Sequence, residues 1–372
     1  MKHAQWFKRI LLPGLVFQSV VIAGGYGTGR EIAEFFLTHG PLGGLLAMLL
    51  VSTVIWSVVN AASFEFARVF SSYDYRRFFK TLLGPGWVLF EICYIAFLAI
   101  VLAVIAAAAG TMLRETFDLP YAVGVIGVTT AVGFLVFRGS STIENALTGW
   151  SVVLYGTYLV FFVWSFVRFG GEIGTALAGD RPGLGWILGG VRYAGYNLAV
   201  IPAVLFTVRH ARSRRDAVTA GLLAGPIAII PGLLFYLVMV AQYPAILDRP
   251  VPANTLLELL GSRAFHVIFQ VVLFGTLIET GTGLIHAVNE RIASVYKEGG
   301  HAMPRLLRPV VGVAMLLAAA GLSRFGLIDL IAKGYGTLTW LFLAVFVVPI
   351  LSVGIWKILR RPTAPAAMGV DD

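Results

Sequence analysis

The chain has 372 residues, of which 58% are hydrophobic and only 13% are Asp, Glu, Lys or Arg. Soluble domains are about 45 to 50% apolar and about 25% charged, so this composition excludes an ordinary soluble globular protein. The apolar residues form long unbroken runs rather than alternating segments, which favours a bundle of membrane helices over a β-barrel. The net charge of +9 comes from basic residues at the ends of these runs. We therefore expect a lipid bilayer, and no nucleic acid, as the partner.

Taken in chain order, the apolar runs between charged or Pro/Gly punctuation predict ten membrane helices, and no separate domain fits between them. With a cytoplasmic N-terminus, nineteen Lys and Arg residues fall in cytoplasmic segments and six in outer loops. This bias predicts an all-α membrane protein of the inner (plasma) membrane with both termini in the cytoplasm. Residues 1–372 then form a single transmembrane domain, with spans at about 13–36, 42–67, 84–112, 120–137, 148–168, 185–208, 216–242, 265–290, 306–322 and 327–358.

Two of these spans carry helix-breaking sequences. The first has four glycines in six residues at 24–29, followed by Arg30 and Glu31, and the sixth has Tyr196-Asn197 ahead of Pro202. Each broken span opens a group of five, and spans five and ten share a Tyr-Gly-Thr tripeptide at 155–157 and 335–337. The pattern predicts two repeats, at about 13–168 and 185–358. Because five is odd, the second repeat is inverted in the membrane.

The broken spans predict a binding site at membrane depth. Each glycine costs a helix about 1 kcal/mol, and unwound backbone is tolerated in a bilayer only where protein or a water-filled cavity satisfies it. Half-helix ends then offer partial charges to ions and polar ligands. Glycines also serve simply for close helix packing, but packing requires neither ionisable neighbours nor a matching break five spans later. We expect the cavity to be lined by Gly25, Gly27, Gly29, Tyr196, Asn197 and Glu279.

These features resemble the LeuT-fold transporters of the amino acid, polyamine and organocation superfamily, and more closely the YkvI-type bacterial membrane proteins. The most specific element is Gly27-Thr28-Gly29-Arg30-Glu31, supported by Tyr196-Asn197 and Pro202. The resemblance extends over nearly the whole chain. It implies alternating access and a central site between spans one, three, six and eight, without naming the cargo.

Ionisable residues within membrane spans are rare and usually functional. Glu279 lies in the middle of span eight, and Thr276 and Thr280 share its helix face. Such hard oxygen ligands suit a small cation. In LeuT-like proteins a sodium site lies between hydroxyls of span eight and carbonyls of the first break, which implies Ala23 and Tyr26 here. A carboxylate departs from the usual hydroxyl pattern, so H⁺ is an alternative to Na⁺ as the coupling ion. A purely structural ion pair of Glu279 with Lys333 or Arg192 is the alternative.

Adjacent helical residues point about 100° apart, so Arg30 and Glu31 do not both face one cavity unless the break extends through them. We assign Glu31 to a substrate amine or a proton and Arg30 to an acid such as Glu91 or Glu34, the reverse assignment being open. Tyr94 lies three residues after Glu91, where it would cover a substrate, with packing or lipid contact, the usual role of an aromatic side chain in such a chain, as the alternative. The predicted substrate site comprises Gly25, Tyr26, Gly27, Gly29, Glu31, Glu91, Tyr94, Tyr196 and Asn197.

Catalytic motifs are lacking: the sequence has no Cys pair, no His-Glu-x-x-His and no P-loop. The function predicted is therefore not enzymatic. It is secondary transport of a small amine or amino acid, with Na⁺ or H⁺ as the coupling ion and no other cofactor. Two alternatives are a sensor on the same fold, which an added cytoplasmic domain would favour, and an ion channel, which a continuous polar stripe would favour. The partners are a small molecule and the bilayer, and a homo-oligomer is left open.

Overall fold

The structure is a computed structural model that describes residues 2–22, 24–138, 140–304 and 306–360. Within these ranges all regular secondary structure is helical and no strand is present. The eighteen α-helices are α1 Lys2–Ile10, α2 Leu12–Val21, α3 Gly24–Gly27, α4 Arg30–Phe35, α5 Pro41–Leu46, α6 Thr53–Phe70, α7 Tyr75–Leu83, α8 Trp87–Phe117, α9 Tyr121–Arg138, α10 Ser140–Gly179, α11 Trp186–Asn197, α12 Arg214–Val240, α13 Pro252–Leu260, α14 Arg263–Glu298, α15 Leu307–Leu322, α16 Leu327–Asp329, α17 Gly336–Phe342 and α18 Ile355–Arg360.

Tighter and wider helical turns join several of these helices. They are 3₁₀ turns at Leu37–His39, Gly84–Gly86, Leu198–Ala203, Leu205–His210 and Ser323–Phe325, and π-helical turns at Ala47–Ser52, Leu330–Tyr335, Leu343–Val347 and Ile350–Gly354. The π turns continue neighbouring helices, so α5 runs into α6, and α16 runs through α17 into α18.

Seven helical runs among the described residues are long and apolar enough to cross a membrane, judged by length and composition. The prediction of a helical membrane protein is therefore confirmed. Two further apolar helices, Leu12–Val21 and Tyr121–Phe137, are shorter. The seven runs are Pro41–Phe70, Tyr75–Phe117, Val153–Gly179, Arg214–Val240, Arg263–Lys297, Leu307–Phe325 and Leu327–Arg360.

The first and sixth predicted spans are interrupted at the expected places. α2 ends at Val21, and α4 does not begin until Arg30, directly after Gly29, whose φ of +80° is readily adopted only by glycine. In the sixth span the α-helix ends at Asn197 and 3₁₀ turns with Pro202 inside them continue to His210. Both interruptions lie among buried residues, which include Thr28 in the first and Asn197 and Pro202 in the second.

Close packing of α6 against α12 forms much of the centre of the bundle. A Cβ on Gly221 would lie 2.3 Å from Ala61 Cα, and one on Gly225 would lie 2.3 Å from Ser57 Oγ. The Ser57 hydroxyl also donates to the Leu222 carbonyl at 2.8 Å. Small residues are what allow helix backbones to approach this closely in membranes. These two helices give the interrupted first span a fixed support.

Candidate functional site

A cavity of about 350 Å³ lies between the interrupted spans, α8, α10 and α14. Its size suits a small organic molecule. Much of the wall is apolar or aromatic, and two carboxylates, Glu31 and Glu279, line it. The predicted residues that the structure brings together here are Glu31, Tyr94, Tyr196, Asn197, Thr276, Glu279 and Thr280.

Glu31 belongs to the first turn of α4 and is almost fully buried, with 3% of its surface exposed. The Tyr196 hydroxyl, from the opposite broken span, donates to its Oε2 at 2.5 Å. Tyr196 in turn stacks on Tyr335, with ring centroids 4.5 Å apart and planes at 17°. A hydrogen bond to a carboxylate thus joins the two interrupted spans, and aromatic rings lie around it.

The predicted cation-binding face of α14 also lines the cavity. The Thr276 hydroxyl donates to the Val272 carbonyl and the Thr280 hydroxyl to the Thr276 carbonyl, both at 2.9 Å. Because each hydroxyl donates its proton to a backbone carbonyl, the lone pairs of its oxygen remain available to a cation. Glu279 lies between them in sequence and adds a third oxygen donor to this face.

Glu279 forms no ion pair with any residue in the described part of the chain. The sequence also allowed a purely structural ion pair of Glu279 with Lys333 or Arg192, but both of these side chains interact with other groups. Lys333 pairs with Asp329 at 3.0 Å, and Arg192 donates to the Ala332 carbonyl at 2.9 Å. Nor do the described residues include a group of three or more His, Cys, Asp or Glu side chains able to hold a metal ion. A hard cation such as Na⁺ bound at Glu279 would therefore take its remaining ligands from hydroxyl and carbonyl oxygens.

The glycines of the first break do not all face this cavity. A Cβ on Gly27 would lie 2.4 Å from Leu273 Cδ1 and 2.7 Å from the Tyr158 hydroxyl, and one on Gly29 would lie 2.5 Å from Phe235. These two glycines allow close packing, the alternative that the sequence also offered. The surroundings of Gly25 are not described, and Ala23 lies outside the described residues.

Two other predicted site residues line neighbouring cavities. Tyr26 is buried and lines a smaller cavity that shares Tyr155 with the central one. Glu91 lines a cavity of about 320 Å³ that meets the central cavity at Tyr94. There it accepts a hydrogen bond from the Tyr75 hydroxyl at 2.7 Å and pairs with Arg291. The structure therefore gives Glu91 an ion-pair partner beside the central cavity rather than a place within it.

Arg30 is fastened to the protein on the other side of α4. Its guanidinium pairs with Glu34 at 2.7 Å and donates to the carbonyls of Leu247 at 2.5 Å and Arg249 at 3.2 Å. The Thr28 carbonyl also accepts from the Ala253 backbone N–H at 3.0 Å. Glu31 thus faces the cavity, whereas Arg30 attaches the break to the segment that leads into α13.

Several cavity residues have no counterpart in the predicted site. Ser19, Phe97, Tyr155 and Tyr335 all line the central cavity. For Tyr155 and Tyr335 a signal existed, because each begins a copy of the repeated Tyr-Gly-Thr tripeptide. Ser19 and Phe97 lie in ordinary apolar runs, where nothing in the sequence distinguishes a wall residue from a packing residue.

Comparisons with known proteins agree with this architecture. No protein-family model matches the chain. In sequence it is 22% identical over 293 residues to the uncharacterized membrane protein YkvI of Bacillus subtilis (strain 168), covering 75% of this chain and 80% of that protein. In structure it is similar to MhsT in complex with L-phenylalanine, with a TM-score of 0.59 and 15% identity, covering 94% of this chain and 97% of that one. A Na⁺-coupled sialic acid symporter gives a TM-score of 0.49 at 11% identity, covering 94% and 85%.

These similarities confirm the predicted resemblance to YkvI-type proteins and to LeuT-fold transporters. At 15% identity the likeness to MhsT establishes the fold alone. The sequence relative is a membrane protein, and neither it nor these structural neighbours is described as an enzyme. The cargo and the coupling ion have to be inferred from the residues of this chain.

Proposed function

We propose that the chain is a cation-coupled secondary transporter of a small amine, working by alternating access in the plasma membrane. In this proposal the seven long runs, the two interrupted spans and α9 make up ten spans in two inverted repeats, at about 13–168 and 185–358, with both termini cytoplasmic. Both Tyr155 and Tyr335, which begin the repeated tripeptides, line the same cavity. Their common location supports the repeat.

The observation that carries the function is the charge of the cavity wall. Glu31 and Glu279 line it, and no Lys, Arg or His does so among the described residues. An uncompensated carboxylate in a low-dielectric site costs several kcal/mol. A mobile cation or a proton must therefore neutralise these groups. A cavity that supplies negative charge and no positive charge selects for cationic cargo.

The aromatic wall indicates what the cation is attached to. Tyr94, Phe97, Tyr155, Tyr196 and Tyr335 present ring surface around the carboxylates. Aromatic faces attract organic cations and bury apolar carbon. A primary or secondary amine on a small apolar or aromatic body satisfies both the acids and the rings.

An amino acid is the second candidate, and the complex of MhsT with L-phenylalanine supports keeping it. Its ammonium group would suit Glu31 as well as an amine does. Its carboxylate, however, would enter a cavity whose two charged residues are both acids. Such a cargo requires that Na⁺ or the backbone N–H groups at the start of α4 hold the carboxylate.

We assign coupling to Glu279. With the Thr276 and Thr280 oxygens and the carbonyls of the first break, it would provide about five ligands for Na⁺, within the range that hard cations take. A proton on the same carboxylate is the alternative, since proton coupling needs only the acid and a water path. Because Glu31 lies on α4 and Glu279 on α14, cargo and coupling ion would occupy different walls of one cavity.

Matched cargo pairs test the proposal directly. The purified protein in liposomes is offered tyramine against tyrosine, phenethylamine against phenylalanine, and cadaverine against lysine, each under an imposed Na⁺ or H⁺ gradient. We expect uptake of the decarboxylated member of at least one pair, driven by one gradient and absent from protein-free liposomes. Preference for the amino-acid member would overturn the amine assignment.

The same preparation separates the rival functions. Cargo binding without uptake under either gradient would identify a sensor, and a current that persists without cargo would identify a channel. Either result would refute transport. A variant carrying both Glu31→Gln and Glu279→Gln serves as the inactive control, because it keeps the cavity shape and removes both charges.

A further inference from the structure

A second polar pocket lies apart from the central cavity, at the surface beside α7. It is an open pocket of about 400 Å³ lined by Asp74, Arg76, Arg77, Lys80 and Thr81. Three of its five residues are cations, and they fall within five positions of one short helix. The single acid, Asp74, accepts a hydrogen bond from the Arg77 backbone N–H at 2.8 Å, where it caps α7.

α7 is held rigidly, so these cations have a fixed support. Phe78 and Phe79 are fully buried on its inner face, and Phe79 stacks on Phe90 at 3.6 Å between ring centroids. At its other end, the Lys357 ammonium donates to the carbonyls of Thr81 at 2.6 Å and Leu82 at 3.2 Å. Arg77 and Lys80 are exposed on the outer face. The inner face of α7 is therefore packed against the protein, and its outer face presents positive charge.

The pocket adjoins a surface suited to lipid tails. α8 begins at Trp87, whose ring lies 5.4 Å from the Arg76 guanidinium and 5.2 Å from the Lys80 ammonium. Beyond it, Val88, Leu89 and Ile92 are 48%, 59% and 60% exposed. Tryptophan is typical of the boundary between headgroups and hydrocarbon, and such outward aliphatic side chains face acyl chains. The cations thus lie where a headgroup would be, and the aliphatic side chains lie where its tails would run.

We propose that Arg77 and Lys80, next to Arg76, bind the phosphate headgroup of an anionic phospholipid, whose acyl chains lie along α8. The charge distribution predicts that this face is cytoplasmic, and basic pockets on that side of membrane proteins bind anionic headgroups. Free inorganic phosphate offers the same charge chemistry. The lipid is favoured because the exposed aliphatic side chains of α8 continue directly from the pocket, and a free ion would leave them without a role.

The test uses the full-length protein in detergent, titrated with phosphatidylglycerol or phosphatidylcholine, with bound lipid counted by native mass spectrometry. We expect phosphatidylglycerol to bind at least about tenfold more tightly than phosphatidylcholine. In the double variant Arg77→Gln, Lys80→Gln, we expect this preference to fall at least about tenfold. Arg76 is kept in place because it is partly buried, whereas Arg77 and Lys80 are exposed.

The matched control is Arg214→Gln, Lys297→Gln, which removes two exposed cations from the same predicted side but outside the pocket. It should keep the parent's lipid preference. The proposal is overturned if both double variants lose the preference equally, or if the pocket variant keeps it in full. It is also overturned if millimolar inorganic phosphate displaces the phosphatidylglycerol completely, because the site would then recognise the phosphate ion alone.

Discussion

Replacement of Glu31 by Gln should weaken cargo binding more than any other single change in the cavity. The substitution keeps the side-chain size and one oxygen, but it removes the charge that we assign to the cargo ammonium. Removing one partner of a buried charge pair typically costs about 2 to 5 kcal/mol. At about 1.4 kcal/mol per tenfold, cargo affinity should fall by roughly 30-fold to several thousand-fold.

Tyr196→Phe provides a graded companion to this change. It removes the hydroxyl that donates to Glu31 at 2.5 Å while keeping the ring that stacks on Tyr335. A hydrogen bond to a charged group contributes about 1.5 to 3 kcal/mol. Because that bond orients the carboxylate toward the cargo, the expected loss in affinity is up to about 100-fold, smaller than for Glu31→Gln.

The assay is equilibrium binding of a labelled amine to purified protein, using the amine with the highest uptake in the paired panel. Tyr121→Phe is the matched control, because it also removes one tyrosine hydroxyl bond, to the Ser323 carbonyl at 2.8 Å, outside the cavity. It should bind as the parent does. If Glu31→Gln folds normally and binds the amine within threefold of the parent, Glu31 does not hold the cargo, and the reasoning from cavity charge fails.

Three further predictions address coupling, packing and topology. Glu279→Gln should abolish gradient-driven uptake while cargo exchange survives, and full gradient-driven uptake would exclude Glu279 as the coupling group. Gly27→Ala should destabilise the protein by about 1 to 3 kcal/mol, measured as a lower melting temperature, because the added Cβ meets Leu273 Cδ1 at 2.4 Å and the Tyr158 hydroxyl at 2.7 Å. A melting temperature equal to the parent's would contradict the close packing. Cysteines at Arg212 and Asp248, in a chain without the native cysteine, should be labelled from the cytoplasm and from outside respectively, and labelling from one side would contradict the ten-span topology.

Apolar run length predicted the helices well because hydrocarbon thickness fixes how many apolar residues a span needs. The predicted span 120–137 is α9, Tyr121–Arg138, and the predicted span 84–112 lies almost wholly within α8, Trp87–Phe117. α7 was missed, since it is short and amphipathic and falls in a predicted loop. Its signals were Asp74 as a helix cap and the apolar residues of its buried face.

The site was harder to predict than the helices, because composition indicates where a helix breaks but not which way it is rotated. The run at 24–29 did interrupt the first span, yet Gly27 and Gly29 face α14 and α12 rather than the cavity. Glu91 raises the same difficulty at longer range. Its partner, Arg291, is 200 positions away, and only the packing of α14 against α8 brings the two together.

The repeated tripeptide held more information than the sequence alone could establish. A Tyr-Gly-Thr match at two places can arise by chance, so it did not select Tyr155 or Tyr335 as site residues. Once folded, both tyrosines line one cavity, although they are 180 positions apart. In the two-repeat architecture that we propose, equivalent spans lie on opposite sides of a central axis. Residues at equivalent positions then meet at the repeat interface, which is where transporters built from inverted repeats bind their substrates. Residues that are both repeated and polar are therefore stronger site candidates than glycines in a break, because pseudo-symmetry fixes where they face, whereas flexibility does not.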